Sequence, residues 1–346
     1  MGTEKRSRFK SDIFGQPEAL LALLREGKAE AESAARALMK RCPRFVYLVG
    51  RGSSENVGRY AQYLLGEKLG IPVALGNPSL FTHYLRPPDL KEAAVIAISQ
   101  SGQSPDICSV IEEGRRQGSL TVAITDNPDS PLGDAAQQVL AVRAKEGTVA
   151  ATQTYSNSLA AISLLAVCIR GDKSIAAELE AAPEKMSDVL GRSDEIEEAA
   201  RKWASGDRAF ALGRGYNYGT AHEIALKLKE VCYLLAHPYS SAEFLHGPVA
   251  VVEKGLPILL IAPKGAVSGE MPSLLERLDG CGATVLVITN DERLKKGKII
   301  RIPDCKEWVS PLVTVVPGQL LALHICNLKG INPDRPRGLE KVTRTW

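Results

Sequence analysis

The sequence is poor in the features that mark several function classes. It has no run of basic residues, only 5% aromatics and a net charge of +3, so no nucleic-acid surface is announced and any positive field belongs to a local pocket. Its seven cysteines, Cys42, Cys108, Cys168, Cys232, Cys281, Cys305 and Cys326, are odd in number and never spaced as CxxC, and its five histidines form no HExxH. The cysteines read as reduced thiols and the spacing implies no metal. No signal-peptide-like segment follows Met1, and no apolar run approaches the ~18 residues of a spanning helix. A cytoplasmic chain with no membrane partner is expected.

What is present is an ordinary globular composition, 45% apolar and 24% charged, over 346 residues, enough for two domains. An internal repeat divides it. Phe45-Val46-Tyr47-Leu48-Val49 precedes Gly50-Arg51-Gly52, and Ala209-Phe210-Ala211-Leu212 precedes Gly213-Arg214-Gly215, 163 residues later. Val122-Ala123-Ile124-Thr125-Asp126 is echoed by Leu286-Val287-Ile288-Thr289-Asn290 at an offset of 164. Continuous Val- and Ile-rich runs (Phe45 to Val49, Ala93 to Ile98, Thr121 to Thr125; Ala209 to Leu212, Pro257 to Ala262, Thr284 to Thr289) alternate with stretches of helical period. Strands apolar on both faces mean parallel sheets covered by helices, so the expected fold is α/β, two tandem doubly wound domains. The divisions expected are a helical segment 1–40, of which Gln16 to Lys40 packs on the first domain, a first domain 41–172, a helical connector 173–202, a second domain 203–330 and a tail 331–346.

Doubly wound sheets bind ligands beyond the carboxyl ends of their strands, so the chemistry is sought in the loops there. The second strand of the first domain runs into Ser99-Gln100-Ser101-Gly102-Gln103-Ser104-Pro105-Asp106. Hydroxyls, an amide and a glycine at the start of a helix suit a phosphate, and Ser53 and Ser54 could reach the same ligand. Helix capping alone can also produce a serine-rich turn; the position after a buried strand and the density of hydroxyls favour the anion site. Gly50-Arg51-Gly52 fails as a dinucleotide fingerprint because the third glycine is Glu55, and its second copy fails at Tyr218. No cofactor is therefore expected.

In the second domain a helix over Thr220 to Leu235 carries Glu223, Lys227 and Glu230 at i, i+4 and i+7, on one face. On periodicity alone this is also a solvated stripe with an ion pair. The turn-rich Pro238 to Pro248 segment that follows, with His246 among small residues, argues for a ligand-facing loop. The tail Asn332 to Lys341, stiffened by Pro333 and Pro336, suggests a segment folded over a site, with Arg337 and Lys341 facing an anion.

Together, Gly50 to Asn56, Ser99 to Ser104, Glu146 to Thr152, Gly213 to Pro248 and Asn332 to Lys341 resemble the double sugar-isomerase (SIS) family, in particular the isomerase half of the glucosamine-6-phosphate synthases. The resemblance runs in the same order over nearly the whole chain from Phe45. It implies flavodoxin-like domains and a homodimer with shared sites. By it, Ser99, Gln100, Ser101 and Ser104 would hold a sugar phosphate, with Ser54 and Val149 lining the pocket. Glu230 would be the acid/base and Lys227 would steady the open-chain hydroxyls. His246, from the neighbouring subunit, would assist ring opening. Lys341 would match a lysine that forms a Schiff base with the ketose, and Arg337 would sit in the closing tail.

The departures matter. About 40 residues before the first strand are too few for the synthase's glutaminase domain, so ammonia release from glutamine is not expected. Ala151 replaces a sugar-contacting serine and Gln153 a lysine, and Ser-Gln-Ser-Gly-Gln-Ser-Pro-Asp is more similar to stand-alone SIS deaminases. The expected activity is deamination of an amino-sugar phosphate, glucosamine-6-phosphate above all. The alternatives are a synthase using free ammonia, a fructosamine-phosphate deglycase, and a non-catalytic sugar-phosphate sensor. Against the last stand three ionisable groups where a binder needs none, and the lack of a helix-turn-helix before Phe45.

Overall fold

The continuous apolar runs become the central strands of two five-stranded parallel sheets. The computed structural model describes residues 7–341 and 345. The first sheet contains β1 (Phe45–Val49), β2 (Val73–Leu75), β3 (Ala93–Ile98), β4 (Leu120–Thr125) and β5 (Gln138–Ala141), in the order β2-β1-β3-β4-β5. The second contains β6 (Arg208–Gly213), β7 (Leu235–Ser240), β8 (Pro257–Ile261), β9 (Thr284–Thr289) and β10 (Lys298–Arg301), in the order β10-β9-β8-β6-β7. Counted within each sheet, both read 2-1-3-4-5, the flavodoxin-like order with its switch point between the first and third strands. Register follows the runs: Phe45 pairs with Ala93, Ala94 with Leu120, Phe210 with Ile258 and Pro257 with Thr284. Every residue of β3, β4 and β8 is buried, as strands covered on both faces require.

The sheets' outer strands escaped the sequence reading because they are short or only partly buried. β7 is the instructive one. Pro238 to Ser240, expected to be loop, form the end of this strand, which lies at the edge of the sheet beside β6; an edge position tolerates a proline because no neighbour needs its missing N–H. The loop begins only after it, with the short helix Ser241–Phe244.

Contacts divide the chain into two compact units. One holds the first sheet, with Glu18–Glu146, Gln153–Glu180 and the described residues from Glu340 onward. The other holds the second sheet, with the described residues up to Pro17, Gly147–Thr152 and Ala181–Leu339. These bounds differ from the sequence divisions. The helix Lys28–Arg41 packs on the first-sheet unit, against helix Gln153–Arg170 and β5, but the helix Arg8–Phe14 belongs with the second. Of the expected connector, Ala182–Leu190 and Ser193–Trp203 pack on helix Ser310–Leu328 and are part of the second-sheet unit.

Ser310–Leu328 also corrects the expectation that no segment is apolar enough to span a membrane: this 19-residue helix has an 18-residue stretch with a mean hydropathy of 1.4. It is 83% buried within the protein as a core helix. Several of its polar groups find partners there, Ser310 Oγ accepting from Asn217 Nδ2 at 2.7 Å, Thr314 Oγ1 donating to Asn217 Oδ1 at 2.6 Å and Gln319 Oε1 accepting from Gln16 Nε2 at 2.7 Å.

Candidate active-site groups

The Ser99–Ser104 turn leaves β3 and enters helix Pro105–Arg116, whose N-cap position is Ser104. Gly102 makes the turn possible: its φ is +63°, and a Cβ there would lie 1.9 Å from Ser130 Oγ. The hydroxyls are not equivalent. Ser99 is turned inward, 7% exposed, its Oγ accepting from Gly102 N at 3.2 Å. Ser101 Oγ accepts from Gln103 N at 3.3 Å. Ser104 forms no side-chain cap bond, so ordinary capping does not account for its hydroxyl. Ser54 lies in the first turn of helix Ser53–Leu69, which follows β1.

Beside this turn is a cavity of 280 Å³ lined by Gln100, Ser101, Gln103, Asp126, Asn127, Ala144, Lys145, Glu146 and Lys341. Three of the expected residues, Gln100, Ser101 and Lys341, are thus brought together at the carboxyl ends of β3 to β5. Gln100 is held by its Nε2 donating to Thr154 Oγ1 at 3.0 Å, and Lys341 Nζ donates to the Glu146 carbonyl at 2.9 Å. Asp126 was missed, although it ends one of the repeated strand motifs. Its Oδ1 accepts from Ala144 N at 2.7 Å. Burial raises its carboxyl above the usual range, an effect reinforced by Glu146 and opposed by the Ala144 N–H and by Lys341.

Val149 and Ala151 lie in the Gly147–Thr152 segment, counted with the second-sheet unit. The segment is pinned by Asp12, a buried carboxylate accepting from Gly147 N at 3.0 Å and from Thr148 Oγ1 at 2.9 Å. Gln153, where the synthases have lysine, is 6% exposed, and its Oε1 accepts from Lys145 N at 3.1 Å.

In the second-sheet unit, helix Tyr218–Cys232 carries the acid–ammonium–acid trio. It is not a solvated stripe: the Glu223 and Lys227 side chains are 0% exposed and that of Glu230 is 20% exposed. Lys227 Nζ lies 3.3 Å from Glu223 Oε1 and 2.5 Å from Glu230 Oε2. Burial alone would lower the pKa of Lys227, but the two carboxylates outweigh it and hold the amine charged. Glu230 is the member of the trio that reaches the surface.

His246 is exposed just after the helix Ser241–Phe244. Arg337 belongs to the second-sheet unit. Its guanidinium stacks over the Tyr233 ring, 4.0 Å from the centroid, and its backbone N donates to the Tyr233 hydroxyl at 2.9 Å.

The model of the SIS domain matches residues 41–168 and 203–325, the segments that hold the two sheets. The chain belongs to the SIS domain family. Among its relatives, the isomerizing glutamine–fructose-6-phosphate aminotransferase of Pyrococcus horikoshii is 34% identical over 338 residues, covering 95% of this SIS chain and 56% of that protein. This SIS chain therefore spans little more than half of that relative. A crystal structure of a candidate phosphosugar isomerase from Silicibacter pomeroyi DSS-3 superposes with a TM-score of 0.87 at 33% identity, covering 95% of this chain and all (100%) of that one. The glucosamine-6-phosphate deaminase of Thermotoga maritima shares the fold, with a TM-score of 0.78 at 23% identity over 98% of this chain and 100% of its own.

Proposed function

We propose that this SIS chain is a sugar-phosphate isomerase acting on amino-sugar phosphates, and that it converts glucosamine-6-phosphate to fructose-6-phosphate and ammonia. Membership of the SIS family and likeness to phosphosugar-handling proteins support the substrate class. The observation that carries the chemistry is Glu230, a partly exposed carboxylate paired at 2.5 Å with a wholly buried ammonium.

In this reading the ester phosphate is taken by the Ser99–Ser104 turn, with Ser101, Ser104 and Gln100 as donors and Ser54 nearby. Anchoring the phosphate lets binding energy remote from the reacting carbons position C1 and C2. His246 assists ring opening. Glu230 then removes the proton from C2 of the open-chain aldehyde, the electron pair moves to form the enolamine with its oxyanion at O1, O1 gains a proton as the amino nitrogen gives one up, and the same carboxylic acid returns the C2 proton to C1. The product is the C2 imine of fructose-6-phosphate; water adds to it and ammonia leaves. Lys227 serves in two ways: its ammonium pairs with Glu230, and it steadies the developing oxyanion. Lys341 is available to the keto carbonyl. Ala151, smaller than serine, and Gln153 bear on what is accepted at C2.

The test is direct. Purified protein should release fructose-6-phosphate and ammonia from glucosamine-6-phosphate, and Glu230→Gln should lower kcat by about 100-fold to 10,000-fold while phosphate-dependent binding persists. Equal turnover by the variant would remove Glu230 from this role. Release of an amino acid from fructosamine phosphates, without ammonia from glucosamine-6-phosphate, would make the chain a deglycase instead.

A further inference from the structure

Asp106 is at first sight misplaced in a phosphate site. It is the second residue of helix Pro105–Arg116, two positions after Ser104, and its carboxylate is 0% exposed. Its Oδ1 accepts from Ile107 N at 2.9 Å, as an acid in a first helical turn does. A buried charge next to a turn meant for a dianion would nevertheless repel the ligand. Its counter-charge is Arg51, whose Nε and Nη2 donate to Asp106 Oδ2 at 3.0 and 2.8 Å.

The turn that delivers Arg51 is the Gly50-Arg51-Gly52 motif that failed as a dinucleotide fingerprint. Both glycines are required by geometry: Gly52 has φ +54° and ψ −125°, and a Cβ on Gly50 would come within 2.8 Å of the Ser54 backbone. The Arg51 side chain remains 46% exposed, so the guanidinium also reaches the surface beside the turn. The duplicated copy repeats the pairing without the ligand chemistry. There Arg214 pairs with Glu270, at the N-cap position of helix Met271–Gly280, but that carboxylate is 63% exposed, and the preceding segment Pro263-Lys264-Gly265-Ala266-Val267-Ser268-Gly269 has a single hydroxyl, Ser268, which is buried and donates to the Gly265 carbonyl at 2.8 Å. The acid is buried only in the copy with the hydroxyl-rich turn.

We propose that Arg51 is a positioning residue for phosphate recognition, neutralising the buried Asp106 so that the Ser99–Ser104 turn accepts a dianion. This rests on the phosphate site of the proposed function. Arg51→Gln should raise the Kd for inorganic phosphate and the KM for glucosamine-6-phosphate about tenfold or more with kcat little changed. The loss should be smaller for glucosamine-6-sulfate, a monoanion of the same shape. Arg51→Gln/Asp106→Asn should regain most of the phosphate affinity, and thermal melts identify variants that fail to fold. A merely structural role would weaken sulfate and phosphate esters equally, and that result overturns the proposal, as does a double variant that recovers nothing. Ser101→Ala/Ser104→Ala separates the two readings. If it weakens phosphate binding while Arg51→Gln does not, only the role of Arg51 falls; if neither does, the phosphate site falls with it.

Discussion

Lys227 shows what a single position adds. Glu223, Lys227 and Glu230 are spaced as any exposed helical ion-pair stripe would be, and spacing is all that periodicity reports. Burial came from packing: helix Tyr218–Cys232 lies against β6, β7 and helix Ser310–Leu328, which removes the trio from water at Glu223 and Lys227. Removing a partner from a buried ionic group costs more than the group contributes when intact. Lys227→Met should therefore destabilise the protein by about 3–5 kcal/mol in denaturant unfolding, and Glu223→Gln added to it should recover part of the loss. The pH dependence follows from the direction of the shift. The folded pKa of Lys227 is raised above its unfolded value, so its contribution is fully present below the ordinary lysine pKa of ~10.4 and is lost only as pH rises through the folded value. Lys227 should cause no fall in melting temperature between neutral pH and that limit.

At the scale of elements, the helix Arg8–Phe14 would not hold alone, because seven residues are too few to offset helix nucleation. The tail supplies what it lacks. Asp334 accepts from Arg8 N at 3.0 Å, Phe9 N at 2.9 Å and Ser7 Oγ at 2.8 Å, satisfying N–H groups that a helix start leaves open. From the same helix Asp12 holds Gly147 and Thr148, so the tail, this helix and the Gly147–Thr152 segment form one chain of hydrogen bonds. Asp334→Ala should cost about 1–2 kcal/mol, the upper range for a lost cap. Hydrogen exchange should then quicken in Arg8–Phe14 and next in the Gly147–Thr152 segment; unchanged protection there would break the link. The tail's stiffness was legible from its prolines, but the task of Asp334 was not, since its partners are more than 320 residues away in sequence.

For the whole molecule, the sharpest expectation concerns acid. His324, in the core helix Ser310–Leu328, meets Ser193 Oγ through Nε2 at 2.9 Å, and burial lowers its pKa against the opposing pull of Glu197. A histidine whose folded pKa is lowered binds its proton more readily when unfolded, so stability falls as pH drops through the unfolded value of ~6.5. Melting temperature should decline from pH 7.5 to 5.5, and His324→Gln should flatten that decline. What the sequence determined by itself was the duplication, the parallel sheets and the hydroxyl-rich turn, because each is written in neighbouring residues: apolar runs long enough to be buried on both faces, repeated at one offset, and hydroxyls set around a glycine. Tertiary structure alone decided that Lys227 is buried, that Arg337 stacks on Tyr233, and that Arg51 answers Asp106. Those outcomes depend on which distant side chain arrives to balance a charge, and chain folding, not local periodicity, sets that.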